Sequence, residues 1–299
     1  MHIGVRDWNR TNGLPLRRGT LYPTELHEHE CFIIIHYYIY FNNTRYLENI
    51  CHFMYNTSRR CDNMQKILSY MMKAIKDYNM IEDGDKIAVG LSGGKDSITL
   101  LMGLKQMSAF YAKKFDVIAI SINPGFEFFS SDFLKKTCEN IGVEYIEEQS
   151  HIKEIVFDIR KEKNPCSLCA NIRRGILNST AVREGCNKIA LGHNEDDVLE
   201  TFFLNLLYGG KIGTFAPVSY MDRSGITLIR PLIYTPERSI KTFIKHSNIE
   251  VMPKACPMDG VSKREDMKNL IWQFHKDIPN IKANLFGAIK RSNIKGWTK

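Results

Sequence analysis

The chain has 299 residues, of which 43% are hydrophobic and 25% charged, so it is long enough to bury a sizeable core. Its formal net charge of +8 suits a polyanionic partner such as RNA. Eight irregularly spaced cysteines in a chain of this size argue against a secreted disulfide framework and favour thiol or metal chemistry in a reducing compartment. The sequence has no signal peptide and no apolar run near the ~20 residues that span a bilayer. We therefore expect a cytoplasmic protein that makes no contact with a membrane.

A break in composition near residue 63 divides the chain. Residues 1–63 contain no lysine, whereas residues 64–299 contain 25. The first segment also shows neither a helical nor a strand period. We interpret residues 1–63 as a poorly structured or misannotated N-terminal extension, with translation starting at Met54 or Met64. The alternative is an RNA-binding arm whose arginines contact phosphates.

Beyond this break the apolar pattern is regular. It predicts helices over residues 67–78, 96–111, 131–141, 168–184 and 196–207, which alternate with strands over residues 86–89, 115–122, 143–146 and 188–191. A strand over residues 226–229 follows, and then a helix capped by Thr235 with Pro236 at its first position. The alternation is typical of a doubly wound α/β fold around a parallel sheet. We predict one domain over residues 64–276 and a basic, helical C-terminal tail over residues 277–299.

The segment after the first predicted strand is suited to bind a pyrophosphate. Its six residues are Ser92, Gly93, Gly94, Lys95, Asp96 and Ser97. The glycines let the backbone turn tightly and bring its N–H groups against an anion, while the helix N-terminus and Lys95 supply positive charge. The common nucleotide loop needs four residues between its glycines and a Ser or Thr directly after the lysine, and this segment has neither. It instead resembles the PP-loop of the N-type ATP pyrophosphatases, which implies cleavage of ATP between the α- and β-phosphates.

Cys166 and Cys169 lie one helical turn apart, so both thiols can face one metal. From spacing alone the pair could be a redox dithiol, half of a zinc site or part of an iron–sulfur site. A zinc ribbon would need a second such pair, which the sequence lacks. Cys256 is the plausible third ligand downstream of the sheet. Arg173 and Arg174 follow on the same predicted helix, where they would favour thiolate and could hold phosphates.

A second polar segment follows the strand over residues 188–191. Gly192 and His193 follow the strand, and Asp196 and Asp197 open the next helix. Acidic residues at a helix start stabilise the helix, which is the simplest interpretation. The carboxyl edge of an open α/β sheet is also where ligands bind, so these carboxylates could hold Mg²⁺ or transfer protons.

Taken together, the motifs resemble the tRNA 2-thiocytidine synthetases, the TtcA branch of the TtcA/TtuA family. The resemblance covers roughly residues 64–276 and rests on five segments: Ser92–Ser97, Cys166–Gly175, Gly192–Asp197, Tyr208–Lys211 and Arg230–Leu232. It implies a sheet of the PP-loop ATP pyrophosphatase type. It also implies ATP-dependent 2-thiolation of a cytidine, cytidine 32, in the tRNA anticodon loop, by adenylation of the C2 oxygen and sulfur transfer through a [4Fe–4S] cluster.

The resemblance also implies cofactors, partners and site residues. The cofactors are ATP, Mg²⁺ and a [4Fe–4S] cluster held by Cys166, Cys169 and Cys256. The partners are tRNA and a cysteine desulfurase as sulfur donor, and a homodimer is one open possibility. The residues assigned to ATP binding are Ser92, Gly93, Gly94, Lys95, Asp96, Ser97, Gly192 and His193. Those assigned catalytic roles are Lys95, Arg173, Asp196 and Asp197.

The chain departs from the family pattern at one place. The best-known members have a second Cys-x-x-Cys pair where this chain has Cys256-Pro257-Met258-Asp259. The chain also lacks the paired-cysteine zinc modules of the uridine-thiolating TtuA branch, which favours cytidine as the target. The alternatives are 2-thiolation of a tRNA uridine, a lysidine-synthetase-like adenylation, and a nucleotide- and RNA-binding iron–sulfur protein without catalysis.

Overall fold

The computed structural model describes residues 58–127, 129–161, 165–252 and 263–298. Its α-helices are α1 (Ser58–Asp77), α2 (Lys95–Phe110), α3 (Ser131–Ile141), α4 (Pro165–Arg183), α5 (Glu195–Leu207), α6 (Glu237–Ser247), α7 (Lys263–Asp277) and α8 (Ile281–Arg291). Its strands are β1 (Asp85–Gly90), β2 (Phe115–Asn123), β3 (Glu144–Gln149), β4 (Lys188–Ala190), β5 (Val218–Met221) and β6 (Ile226–Ile229). Residues 1–57 of the extension predicted over residues 1–63 lie outside the described residues. Residues 58–63 belong to α1, so the predicted boundary at residue 63 falls inside a helix. None of the described helices has the length and apolar character needed to cross a membrane.

The six strands form one sheet in the order β3-β2-β1-β4-β6-β5. All neighbouring strands from β3 to β6 are parallel, which confirms the predicted doubly wound α/β fold. Strand β5 pairs antiparallel with β6 and was not predicted. Unlike the equally short β6, it has no fully buried residue, so its sequence shows no apolar run. The chain order reverses at β1, with β2 on one side and β4 on the other. The crevice at the carboxyl ends of β1 and β4 is therefore where this fold is expected to bind a ligand.

Both faces of the sheet are covered by helices. Ile87 and Val89 of β1 point into the larger core, and Ala88 between them points into the smaller core on the opposite face. Helix α4 contributes Leu177 and Ala181 to the smaller core, while α2 packs into the larger one. Helices α2 and α4 therefore approach the carboxyl ends of β1 and β4 from opposite faces of the sheet.

The start of α6 differs from the prediction. The helix begins at Glu237 with Pro236 at the N-cap position, so the expectation that Thr235 caps this helix is wrong. Asp196 explains the difference, because its Oδ2 accepts a hydrogen bond from the N–H of Glu237 at 2.7 Å. A carboxylate from another helix satisfies an amide that a local cap would otherwise satisfy.

The C-terminal segment is helical, as predicted, and packs into the larger core. Trp297 is 1% exposed, and its Nε1 donates to the backbone oxygen of Phe215 at 3.1 Å. Its ring meets those of Tyr78 and Phe286 edge to face. A large ring with a satisfied N–H stabilises a core through both its buried area and its aromatic contacts. The chain beyond α8 is therefore held in the same packed unit as the sheet.

Replacement of Trp297 by alanine should lower the free energy of unfolding by about 3–5 kcal/mol, because it leaves a cavity in the core. Urea unfolding followed by circular dichroism measures the loss. Trp272 provides a matched control, since it is 56% exposed and its replacement by alanine removes the same side chain from the surface. Equal losses from the two substitutions would contradict the packing described for Trp297.

Candidate functional site

The loop between β1 and α2 has the geometry expected of an anion site. Gly93 has a φ of 77°, a left-handed conformation that glycine adopts without strain. Ser97 holds the loop together, because its hydroxyl donates to the backbone oxygen of Gly94 at 3.0 Å and accepts from the N–H of Ser92 at 3.2 Å. No described side chain caps α2 at Gly94. The first amide groups of α2 are therefore available to a bound anion.

Lys95 lies at the start of α2 between two carboxylates. Its ammonium is 2.6 Å from Asp96 Oδ2 and 3.1 Å from Glu237 Oε1. Burial opposes the charged form, but Asp96 and Glu237 outweigh it and raise the pKa of Lys95. Burial likewise opposes ionisation of Glu237, whereas nearby lysines, including Lys241, lower its pKa to about 2. Lys95 is thus a stable cation that a phosphate could draw away from its carboxylate partners.

Sequence analysis missed two residues that contact this loop. Glu237 pairs with Lys95, and the N–H of Met252 donates to the backbone oxygen of Gly93 at 2.9 Å. The Met252 side chain also covers the glycine, since a Cβ at position 93 would lie 2.5 Å from its sulfur. Both residues come from the chain after β6, and no local motif marks either of them. Only the fold brings them to the loop.

The end of β4 contacts the start of α2. A Cβ at Gly192 would lie 3.0 Å from the carbonyl carbon of Asp96 and 3.1 Å from the nitrogen of Ser97. These neighbours are backbone atoms, so a side chain at position 192 would push the two segments apart. The structure therefore brings together the two groups of residues that were assigned to ATP.

Asn194 joins the two segments further and was missed as a site residue. Its side-chain oxygen accepts from the N–H groups of Asp196 at 2.9 Å and Asp197 at 3.2 Å. Its Nδ2 donates to Asp96 Oδ1 at 3.0 Å. Asp197 completes a capping box by accepting from the N–H of Asn194 at 3.0 Å. The helix-start pattern was visible in the sequence, but the bond to Asp96 depends on the packing of β4 beside β1.

The two carboxylates assigned catalytic roles already have protein partners. Asp197 Oδ1 lies 3.1 Å from Arg264 Nη1, and burial raises the pKa of Asp197. Asp196 Oδ1 lies 2.5 Å from Lys282 Nζ, and its other oxygen binds the N–H of Glu237. These contacts connect α5 to α6, α7 and α8. The catalytic roles of Asp196 and Asp197 stay predictions, whereas their part in holding the helices together is visible.

His193 lies beside a buried arginine. Arg230 is 7% exposed, and its Nε donates to His193 Nδ1 at 3.3 Å. Phe215 packs against both, with its ring centroid 4.7 Å from that of His193 and 5.1 Å from Arg230 Cζ. Burial, together with the charges of Arg230, Arg264 and Arg174, lowers the pKa of His193 to about 3. The imidazole is therefore neutral near pH 7.

Helix α4 places its two cysteines above the carboxyl edge of the sheet. Leu177 of α4 and Leu191 after β4 both contact Gly90, where a Cβ would lie 3.1 Å from the Leu177 side chain and 3.2 Å from that of Leu191. Because β4 begins just after α4 ends, residues of α4 before Leu177 extend beyond this edge. Cys169 is therefore about 12 Å further along the helix axis, at 1.5 Å per residue.

The two cysteines of α4 are both at least partly accessible to a ligand. Cys166 is exposed and Cys169 half-buried, and neither forms a disulfide. Cys256, the predicted third ligand, lies outside the described residues. Within the described ranges no group of three His, Cys, Asp or Glu side chains is arranged to hold a metal ion. Two thiols at this spacing fit an iron–sulfur cluster as part of its ligand set.

The two arginines that follow the cysteines differ in their surroundings. By helical spacing Arg173 shares a face with Cys166 and Cys169, and its Nε is buried with no hydrogen-bond partner among the described residues. Arg174 is exposed. A buried guanidinium nitrogen without a partner is costly, so Arg173 is available to a ligand that would supply an acceptor.

Comparison with known proteins places the chain among PP-loop proteins. The PP-loop domain family matches residues 63–267. The tRNA-cytidine(32) 2-sulfurtransferase of Syntrophotalea carbinolica is 36% identical over 228 residues, which cover 75% of this chain and 88% of that protein. The protein of the same name from Actinobacillus pleuropneumoniae is 39% identical over 227 residues, which cover 74% of this chain and 70% of that protein.

A solved structure is similar as well. The U34-tRNA thiolase NcsA from Methanococcus maripaludis, determined with its [4Fe–4S] cluster, superposes with a TM-score of 0.62 and 27% sequence identity. The match covers 74% of this chain and 76% of that one. The similarity therefore extends over most of the sheet and its helices.

Replacement of His193 by glutamine should remove a pH-dependent part of the stability. The unfolded chain binds a proton at His193 near pH 6.5, whereas the folded chain binds one only near pH 3, so acidification between these values favours unfolding. The advantage of the wild-type chain should shrink by about 1.4 kcal/mol per pH unit below pH 6. Urea unfolding of both proteins at pH 7.5 and pH 5 tests this, and a difference that does not change with pH would contradict it.

Proposed function

The chain belongs to the PP-loop family of tRNA-cytidine(32) 2-sulfurtransferases, and we propose that it replaces the C2 oxygen of cytidine 32 in tRNA by sulfur in an ATP-dependent reaction. One observation carries the proposal. The loop between β1 and α2, called the nucleotide loop from here on, and the cysteine pair of α4 approach the same edge of the sheet from opposite faces. A base held at this edge would have a phosphate donor on one side and the cysteine pair on the other.

The first step is activation of the base. The C2 oxygen attacks the α-phosphate of ATP, a new oxygen–phosphorus bond forms, and the bond to the departing pyrophosphate breaks. Lys95 and the free amides of α2 would stabilise negative charge on the departing phosphates. The ion pairs of Lys95 with Asp96 and Glu237 support this role, because they favour the charged form of its ammonium group.

The second step is sulfur transfer. A sulfur nucleophile attacks C2, the carbon–oxygen bond breaks, and AMP leaves with the former C2 oxygen. Cys166, Cys169 and Cys256 would hold the cluster, which when bound supplies an iron without a cysteine ligand for delivery of sulfur. Arg173 would lie beside it, since it shares the helical face of the two cysteines on α4. A cysteine desulfurase is the proposed source of the sulfur.

Contacts on either side of Cys256 support it as the third ligand. Before it, Met252 binds Gly93 of the nucleotide loop, and after it, Arg264 binds Asp197. Asp197 is in turn bonded to Asn194, which contacts the same loop. The described residues on both sides of the segment that contains Cys256 therefore lie close to the nucleotide loop.

The described residues fit a protein-held Mg²⁺ poorly. Asp96, Asp196 and Asp197 each already pair with a lysine or an arginine. We therefore assign Mg²⁺, the proposed companion of ATP, to the nucleotide phosphates rather than to a dedicated cage of carboxylates.

The tRNA would lie across the basic side of this edge. Lys263 lies 5.1 Å from the ring centroid of Tyr208, which is 56% exposed, and Lys211 follows in the same loop. Exposed aromatic rings beside lysines suit stacking of unpaired bases and contacts to phosphates. Arg264, by contrast, is occupied by Asp197. We propose that this reaction takes place in the cytoplasm. That the protein forms a homodimer is a further proposal.

Mass spectrometry of nucleosides from tRNA tests the function. Cells without the gene should lack 2-thiocytidine, and the wild-type gene should restore it. Variants with Lys95→Ala or Cys256→Ala should fail to restore it, because the first removes the cation at the phosphates and the second a cluster ligand. Lys73→Ala is the control, since Lys73 is an exposed lysine on α1 away from the loop.

Each alternative outcome has a defined meaning. Unchanged 2-thiocytidine with loss of another thionucleoside would contradict cytidine as the target and favour a tRNA uridine, the substrate of the solved U34 thiolase. No change in the amount of any thionucleoside would contradict the proposed thiolation of tRNA.

A further inference from the structure

We propose that Arg174, Arg230 and the Nε2–H of His193 form a second phosphate-binding site, separate from the loop between β1 and α2. The site deepens the proposed function and rests on it for the origin of the phosphate. It lies at the carboxyl ends of β4 and β6, on the α4 side of the nucleotide loop.

Arg230 is a buried cation whose described contacts are all neutral. Besides His193, it donates to the backbone oxygen of Ala216 at 2.6 Å and to Ser219 Oγ at 3.3 Å. Burial and the charge of Arg174 lower the pKa of Arg230 to about 10, yet the guanidinium stays charged near pH 7. A buried charge without a counter-charge is costly unless a ligand supplies the opposite charge.

The bond from Arg230 decides which nitrogen of His193 carries the proton. A guanidinium can only donate, so Nδ1 of His193 must accept. The neutral imidazole then has its proton on Nε2, which becomes a donor. His193 therefore adds a hydrogen-bond donor to this site rather than a base.

Helix α4 places Arg174 toward the same edge of the sheet. It is one turn before Leu177 on α4, and Leu177 packs against Gly90 and Leu191 at the carboxyl edge. The charge of Arg174 lowers the pKa of both His193 and Arg230. Arg174 is exposed, and no ion pair joins it to a carboxylate within the part of the chain that the structure describes.

Two of the cations in this cluster have no carboxylate to neutralise them. Arg264, which also acts on His193, is neutralised by Asp197 at 3.1 Å and approaches Glu200 at 3.9 Å. Arg174 and Arg230 have no such carboxylate among the described residues. Two guanidinium groups and one imidazole N–H suit the oxygens of a phosphate, for which arginine offers paired donors.

Two phosphates could occupy the site: one in the backbone of the tRNA beside the target base, or the α-phosphate of the nucleotide. Arg174→Ala separates them, because Arg174 is exposed and its loss should leave the fold intact. Arg183→Ala is the control, since it removes one positive charge from the same helix, where Arg183 pairs with Glu148 and Glu184. The dissociation constants of the full chain for ATP alone and for an unmodified tRNA transcript are measured at several salt concentrations.

Arg174→Ala should weaken one of the two ligands about tenfold, whereas Arg183→Ala should weaken neither to that extent. If the phosphate is that of tRNA, only the tRNA affinity falls, and its salt dependence decreases by about one phosphate contact. If it is that of the nucleotide, only the ATP affinity falls. Unchanged affinity for both ligands would overturn the site.

The tautomer of His193 provides an independent readout. Nitrogen-15 NMR should show the proton on Nε2 in the wild-type chain and in Arg230→Lys, since lysine is also a donor only. A proton on Nδ1 in the wild-type chain would overturn the part assigned to His193. If the wild-type chain makes no thionucleoside but Arg174→Ala still weakens binding, the proposed function is contradicted and the phosphate site is not. If the wild-type chain thiolates tRNA normally and Arg174→Ala binds both ligands as the wild type does, only the phosphate site is contradicted.

Discussion

The carboxyl edge of the sheet depends on the close contact between Gly192 and the first turn of α2. This contact sets the distance between the nucleotide loop and the end of β4, and the Asn194–Asp96 hydrogen bond holds it. Because Asn194 also caps α5, the position of that helix is tied to the loop. The same turn positions His193 and Asp197. A side chain at position 192 would therefore displace the nucleotide loop, His193 and Asp197 relative to one another.

The local parts of the site were predictable from the sequence, and the long-range parts were not. A glycine-rich turn between a strand and a helix predicts an anion site wherever it occurs, and Cys166 and Cys169 share a face through helical spacing alone. Glu237 and Met252 reach the loop only because the chain after β6 returns to it. Likewise, Trp297 and Tyr78 are far apart in the sequence, and only the fold brings their rings into contact. The predicted helices and parallel strands were correct because their apolar patterns are local, whereas β5 was missed because none of its residues is fully buried and its sequence shows no apolar run.

The distribution of charge separates two kinds of surface at this edge. Lys95, Lys282 and Arg264 are paired with carboxylates that also fasten helices together. Arg174 and Arg230 lie among neutral groups and other cations within the described structure. Lys282 and Arg264 stabilise the packing of the helices, whereas Lys95, Arg174 and Arg230 are the cations that we propose for phosphate binding.

The most direct test of the central claim is the fate of ATP during one turnover. Purified protein with a reconstituted cluster, a sulfur donor and labelled ATP would be mixed with tRNA carrying either cytidine or uridine at position 32. The account predicts AMP and pyrophosphate in amounts equal to the 2-thiocytidine formed, and only with cytidine at that position. Formation of ADP and phosphate, or of pyrophosphate regardless of the base at position 32, would contradict it.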